Sequence, residues 1–139
     1  MKKALGVFGL FSSLVLLTGC PQDVDILPEN NTSEGTWHLR NVSGGFAGID
    51  LDFIPNEVKW TFTEADSTVE VLNNIINMNA QNFHSGPDDG TYSYSVQLIN
   101  GSEHLLIDGE DKGIMLIEND SLFIDDGVGA DGFMSLFVR

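Results

Sequence analysis

The chain has only one cysteine, four prolines and six basic residues in a length of 139. One cysteine excludes an intramolecular disulfide framework, a thiol pair for redox work and a CxxC-type zinc site. The six basic residues stand against 21 acidic ones, for a formal net charge of −15. That balance excludes nucleic acid as a partner, because a phosphate backbone needs a positive surface. His38, His84 and His104 are far apart and lack HxH or HExxH spacing, and no nucleophile elbow or phosphate loop is present. Asp125, Asp126 and Asp131 lie in a glycine-rich loop, but without EF-hand or repeat spacing Asp-Gly pairs are ordinary turn chemistry. With no catalytic constellation, the chain is not expected to be an enzyme, and neither a cofactor nor a metal site is expected. Its apolar fraction of 42% is too high for a wholly disordered acidic tail. The length suits one ordinary domain with a short extension.

The extension is N-terminal. Residues 1–20 read MKKALGVFGLFSSLVLLTGC: a basic start at Lys2 and Lys3, an apolar run from Ala4 to Leu17, then small residues and the lone cysteine. The run is too short for a membrane span and reads as a secretion signal. Leu17-Thr18-Gly19-Cys20 resembles the bacterial lipobox. The resemblance implies a signal peptide over 1–19, cleavage before Cys20, lipid (palmitate-type) attachment to the Cys20 sulfur, and anchorage at a membrane of the bacterial cell envelope, with the outer membrane favoured. Loss of Lys2 and Lys3 would leave 4 basic against 21 acidic residues, a net charge of −17. Acyl chains hold a protein far more firmly together than one chain does alone. Residues 20–34 then form an acidic tether with two prolines. Gln22-Asp23-Val24-Asp25 is an imperfect likeness of the surface-export signal of Bacteroidetes lipoproteins, so periplasmic and surface display both stay open.

From Gly35 to Arg139 the pattern is short strands and turns. Strands are expected at 35–42, 57–63, 68–72, 91–99, 103–108, 112–118, 121–125 and 133–139. Val58, Trp60 and Phe62 alternate with Lys59 and Thr61; Tyr92, Tyr94, Val96 and Leu98 alternate with Ser93, Ser95 and Gln97. Asn100-Gly101 is the strongest hairpin signal, since both residues tolerate positive φ. Ile49, Leu51 and Phe53 also alternate, so part of the long 43–56 connection extends a strand. The fold class expected is all-β: eight antiparallel strands in up-and-down order, closing into a barrel that removes exposed edges. A β-sandwich would need crossovers longer than the turns after residue 91 allow.

Gly35-x-Trp37 at the head of eight meandering strands, with Gly90-Thr91-Tyr92 opening the middle one, resembles the lipocalins, most closely the compact lipocalin-like domains of bacterial envelope lipoproteins. The likeness covers residues 35–139. It implies that Gly35 and Trp37 close the barrel base beneath a basic side chain, with Arg139 the better partner and Arg40 the alternative. The domain is shorter than a full lipocalin, has no long helix after its last strand, and lacks the family's Thr-Asp-Tyr motif.

Two functional expectations follow. In the first, Trp60, Phe62, Tyr92 and Tyr94 line a cavity for a small apolar or amphipathic ligand, with Phe46 and Phe83 from the long loops at its mouth, joined by Phe53 and Ile76. In the second, the same residues fill a solid barrel, the loops plug its end or expose an apolar patch, and the chain is a structural or protein-binding module of the envelope.

Overall fold

The computed structural model describes residues 32–76 and 83–139. Cys20, the leader and most of the tether lie outside the described residues. Nine strands follow in order: β1 Gly35–Gly44, β2 Ile49–Asp52, β3 Val58–Thr63, β4 Thr68–Asn73, β5 Gly90–Ile99, β6 Ser102–Ile107, β7 Glu110–Glu118, β8 Ser121–Asp126 and β9 Phe133–Val138. A 3₁₀ turn at Val128–Ala130 precedes β9.

Each strand from β3 to β9 pairs antiparallel with the next, and β9 returns to β1. β2 and β3 lie end to end along one edge of β1. Asn41–Gly44 pair with Asp52–Ile49, and Gly35–His38 pair with Phe62–Lys59. Between them the chain loops out, held where the Phe53 N–H donates to the Arg40 carbonyl at 2.9 Å. The two pieces make one interrupted strand, so the sheet is a closed eight-stranded antiparallel barrel, consistent with a lipocalin-like fold.

The alternation sorts the side chains. Val58, Trp60 and Phe62 face inward from β3, Val69 and Val71 from β4, Leu105 and Ile107 from β6, and Leu122 and Ile124 from β8, all buried. The turns carry the residues that their backbone requires. Asn100-Gly101 and Asp108-Gly109 both hold two successive positive φ angles, the geometry of a tight hairpin. Because Asp108-Gly109 turns the chain in two residues, β7 begins at Glu110, earlier than the alternation suggests. The β6–β7 register then shifts between His104 and Leu106. Gly113 sits at this irregularity with φ +114°, and a Cβ there would stand 2.3 Å from the Asp125 carbonyl oxygen, so only glycine fits.

The base is sealed from within. Trp37 is fully buried, and its Nε1 donates to the Ser33 carbonyl at 2.8 Å. The Ser33 and Tyr94 hydroxyls meet at 3.3 Å. The Arg139 guanidinium lies over the Trp37 ring, 4.3 Å from its centroid, donates to the carbonyls of Thr32 and Asn119, and faces Asp120 at 3.6 Å. Residues 32–34, read in the sequence as the end of the tether, therefore belong to the barrel floor. The Glu64 carboxylate accepts from the Thr32 hydroxyl and, at 3.2 Å, from that of Ser33.

Two outcomes follow at the base. Arg139→Ala is expected to lower the unfolding free energy by about 1–2 kcal/mol, because a largely desolvated cation–π contact is lost; urea titration measures it. The Thr32 hydroxyl, then the Ser33 hydroxyl and the Glu34 backbone, hold the Glu64 carboxyl below its ordinary value of 4.5, and desolvation opposes them without cancelling them. Those bonds stabilise the fold fully above that pH and are lost as pH falls through the lowered folded-state value. Glu64→Gln should therefore lose less Tm than the wild type on going from roughly pH 5 to pH 3, with the two slopes agreeing at neutral pH.

Candidate functional site

The end opposite the base is gathered from β-strand ends and the connections 45–48, 74–76, 83–89, 108–109 and 127–132. Here the core does not reach the rim. A cavity of about 530 Å³ opens at the mouth, within the roughly 300–1,000 Å³ range of small-molecule sites. Its depth is apolar: Leu39, Val42, Trp60, Ile107, Ile124 and Phe137. Trp60 and Phe137 pack with ring centroids 4.8 Å apart and planes tilted by 50°. Toward the opening come Tyr92, Phe133 and Ser135, with Phe83–Asp88 along one wall.

Local bonding holds that wall. Ser85 is buried, and its hydroxyl accepts from Asn73 Nδ2 at 2.6 Å. The Tyr92 hydroxyl donates to the Asp88 carbonyl at 2.8 Å. Asp89 accepts the Asn73 backbone N–H, tying the segment to the end of β4. The His84 ring lies on Phe133, centroids 4.6 Å apart, which links the segment to β9. Gly86, at φ +92°, presses on the indole: a Cβ there would stand 2.8 Å from Trp60 Cζ2.

The rim is acidic. Asp88, Asp108, Glu110 and Asp126 line it, and Lys112 is ion-paired with Glu110 at 2.8 Å. Asp108 Oδ1 accepts both the backbone N–H and the hydroxyl of Ser93 at 2.9 Å. Asp125 Oδ1 accepts the Val128 N–H at 2.7 Å, so that carboxylate shapes the 127–132 loop. Among the described residues no group of three His, Cys, Asp or Glu side chains is placed to hold a metal ion.

The aromatic residues singled out in the sequence divide between the two ends. Trp60 and Tyr92 line the cavity. Phe62 is fully buried in the core, edge-on to Tyr94 with centroids 4.9 Å apart, and Tyr94 turns to Ser33 at the base. Phe83 lines the cavity yet stays 89% exposed, while Phe46 is 93% exposed on the β1–β2 turn and outside the lining. Phe53 is core, and Ile76 is exposed. Phe133, Phe137 and His84 are cavity residues that the alternation alone does not single out. A glycine-flanked Phe133 at the head of the last strand was the available signal for the first of them.

A second hollow, at the base, is lined by Thr32, Ser33, Glu64, Glu103, Val96 and Leu116 among others, none of them aromatic. Among the described residues no helix is long and apolar enough to cross a membrane. Comparison with protein-family models, curated proteins and solved structures yields no match for this chain. The functional reading therefore rests on the geometry of the mouth.

Gly86→Ala tests the packing of the cavity wall. Its Cβ must displace an indole ring already packed on Phe137, from a backbone conformation that L-residues rarely adopt. A loss of about 1–3 kcal/mol is expected, read by thermal unfolding together with a shift in tryptophan emission.

Proposed function

We propose that this chain binds a small apolar or amphipathic molecule non-covalently in the mouth of its barrel. In the same reading it is a bacterial envelope lipoprotein, held at the membrane through a lipidated Cys20. The observation that carries the ligand reading is the partition of the interior. The mouth cavity, about 530 Å³, is lined by Trp60, Phe137, Tyr92, Leu39, Ile107 and Ile124 among others, whereas the hollow at the base, about 550 Å³, has no aromatic lining. Burial of apolar ligand surface supplies the affinity, and polar groups at the rim orient what enters. The anchor rests on the lipobox likeness at Leu17–Cys20.

Native mass spectrometry of protein purified from its host should reveal a co-purifying small molecule, and a lipid and metabolite panel should raise its Tm. An empty protein with no shift across the panel would overturn the reading. Cys20→Ser should abolish labelling by radioactive palmitate and leave the leader uncleaved, read as a larger band on a gel.

Exposed apolar residues at the same end support a second reading, a protein-binding module. Phe46 is 93% exposed and Ile76 95% exposed, and neither lines the cavity. Under it, Phe46→Asp abolishes recovery of one specific membrane partner in pull-downs and leaves small-molecule binding intact.

A further inference from the structure

The mouth cavity contains a donor with nothing to donate to. Trp60 is 4% exposed, and its Nε1 is one of three buried side-chain atoms without a hydrogen-bond partner among the described residues, with His38 Nδ1 and Arg40 Nε. Of these three residues only Trp60 lines the cavity. An indole N–H can only donate, and buried donors in folded proteins are as a rule satisfied by protein or water. Gly86 shows which edge of the ring meets the wall. A Cβ on it would stand 2.8 Å from Cζ2 and 3.6 Å from Cε2, the carbon bonded to Nε1. Gly86 thus packs on the edge of the ring next to Nε1, and a ligand oxygen that accepts from this shielded N–H must displace part of that wall.

Charge sets a second condition. Asp88, Asp108, Glu110 and Asp126 stand at the opening, and the one lysine there, Lys112, is already paired with Glu110 at 2.8 Å. The one histidine of the lining, His84, packs against Phe133 with the ring planes tilted by 49°. An anionic head group entering this rim meets carboxylates of its own sign. It finds no unpaired lysine or arginine among the lining residues.

We infer that Trp60 Nε1 is the group that selects the ligand. The ligand is an uncharged amphiphile with an apolar body and a carbonyl, ether or hydroxyl oxygen that accepts from the indole, and carboxylates are rejected at the rim. This rests on the ligand-binding reading of the mouth. It goes further by naming the polar group the ligand must carry and the charge it must lack.

Three ligands of matched size separate the possibilities: pentylbenzene, valerophenone, which adds one carbonyl oxygen, and 5-phenylvalerate, which adds a carboxylate. Binding is read by displacement of N-phenyl-1-naphthylamine from the full chain. Valerophenone should bind about 3- to 10-fold more tightly than pentylbenzene, the usual net worth of one hydrogen bond, and 5-phenylvalerate should bind most weakly. Replacing Trp60 by benzothienylalanine, which keeps the ring shape and puts sulfur in place of N–H, should erase the ketone's advantage without weakening pentylbenzene. Asp88→Asn combined with Asp126→Asn should strengthen 5-phenylvalerate by roughly 2- to 5-fold.

Equal binding of pentylbenzene and valerophenone would overturn the role of Trp60 and leave the ligand reading standing, as it would if the face of Phe137 already satisfies the N–H. Tightest binding by 5-phenylvalerate would overturn the charge rule. Failure of all three to displace the probe would count against the ligand reading itself.

Discussion

Everything in this molecule depends on β9 finding β1. His38 to Gly44 pair with Val138 to Phe133, and without that ladder the meander is an open sheet with two long edges that present unpaired backbone groups. The two strands are almost the full length of the domain apart in sequence, so closure carries a large loop entropy that local turns cannot offset. Arg139 secures the far end of the ladder. Its guanidinium covers Trp37 and bonds the backbone of Thr32 and Asn119, joining the last strand, the first strand and the β7–β8 turn in one contact. One side chain therefore closes the sheet and covers the bottom of the core.

Closure also divides the interior. A small barrel is usually packed with side chains throughout, and toward the base Trp37, Phe62, Val69 and Leu105 are fully buried. The mouth departs from it because two connections are long there. The 83–89 segment roofs one side instead of plugging the centre, held by Ser85 and Asp89 to Asn73 and by His84 to Phe133. The β2–β3 excursion spends its large apolar residue, Phe53, on the core. What remains is a space with an aromatic wall and an acidic edge.

Much of this was legible in the residues. Period-two alternation placed the strands, and Asn100-Gly101 placed a hairpin whose φ angles have the required sign. Alternation could not tell pocket from core, because Trp60 and Phe62, or Tyr92 and Tyr94, occupy equivalent positions in the pattern. Their fates diverge with position along the strand, since β3 and β5 both run from the mouth to the base and Phe62 and Tyr94 stand one inward step further along than Trp60 and Tyr92. Gly90–Ser93 of β5 pair with β4, and Tyr94–Ile99 pair with β6 on its other edge. The meeting of His84 with Phe133 was equally hidden, since it joins segments that no local rule connects. The start of β7 at Glu110 differs from the expected 112 for a simpler reason: the two-residue turn Asp108-Gly109 was read as running on through Asp111.

The start of the described chain and the opening of the cavity lie at opposite ends of the barrel. The chain enters the described domain at Thr32, whose carbonyl is bonded by Arg139 at the base, and the cavity opens at the other end. Under the proposed lipidation of Cys20, the attachment would lie on the base side of the domain and the mouth on the far side. The net charge of −17 that processing would leave favours keeping the domain off an anionic lipid surface. Ligand would then arrive from the aqueous side of the membrane. A neutral molecule would escape the repulsion that the carboxylates of the rim exert on anions, which joins the placement of the anchor to the chemistry of the mouth.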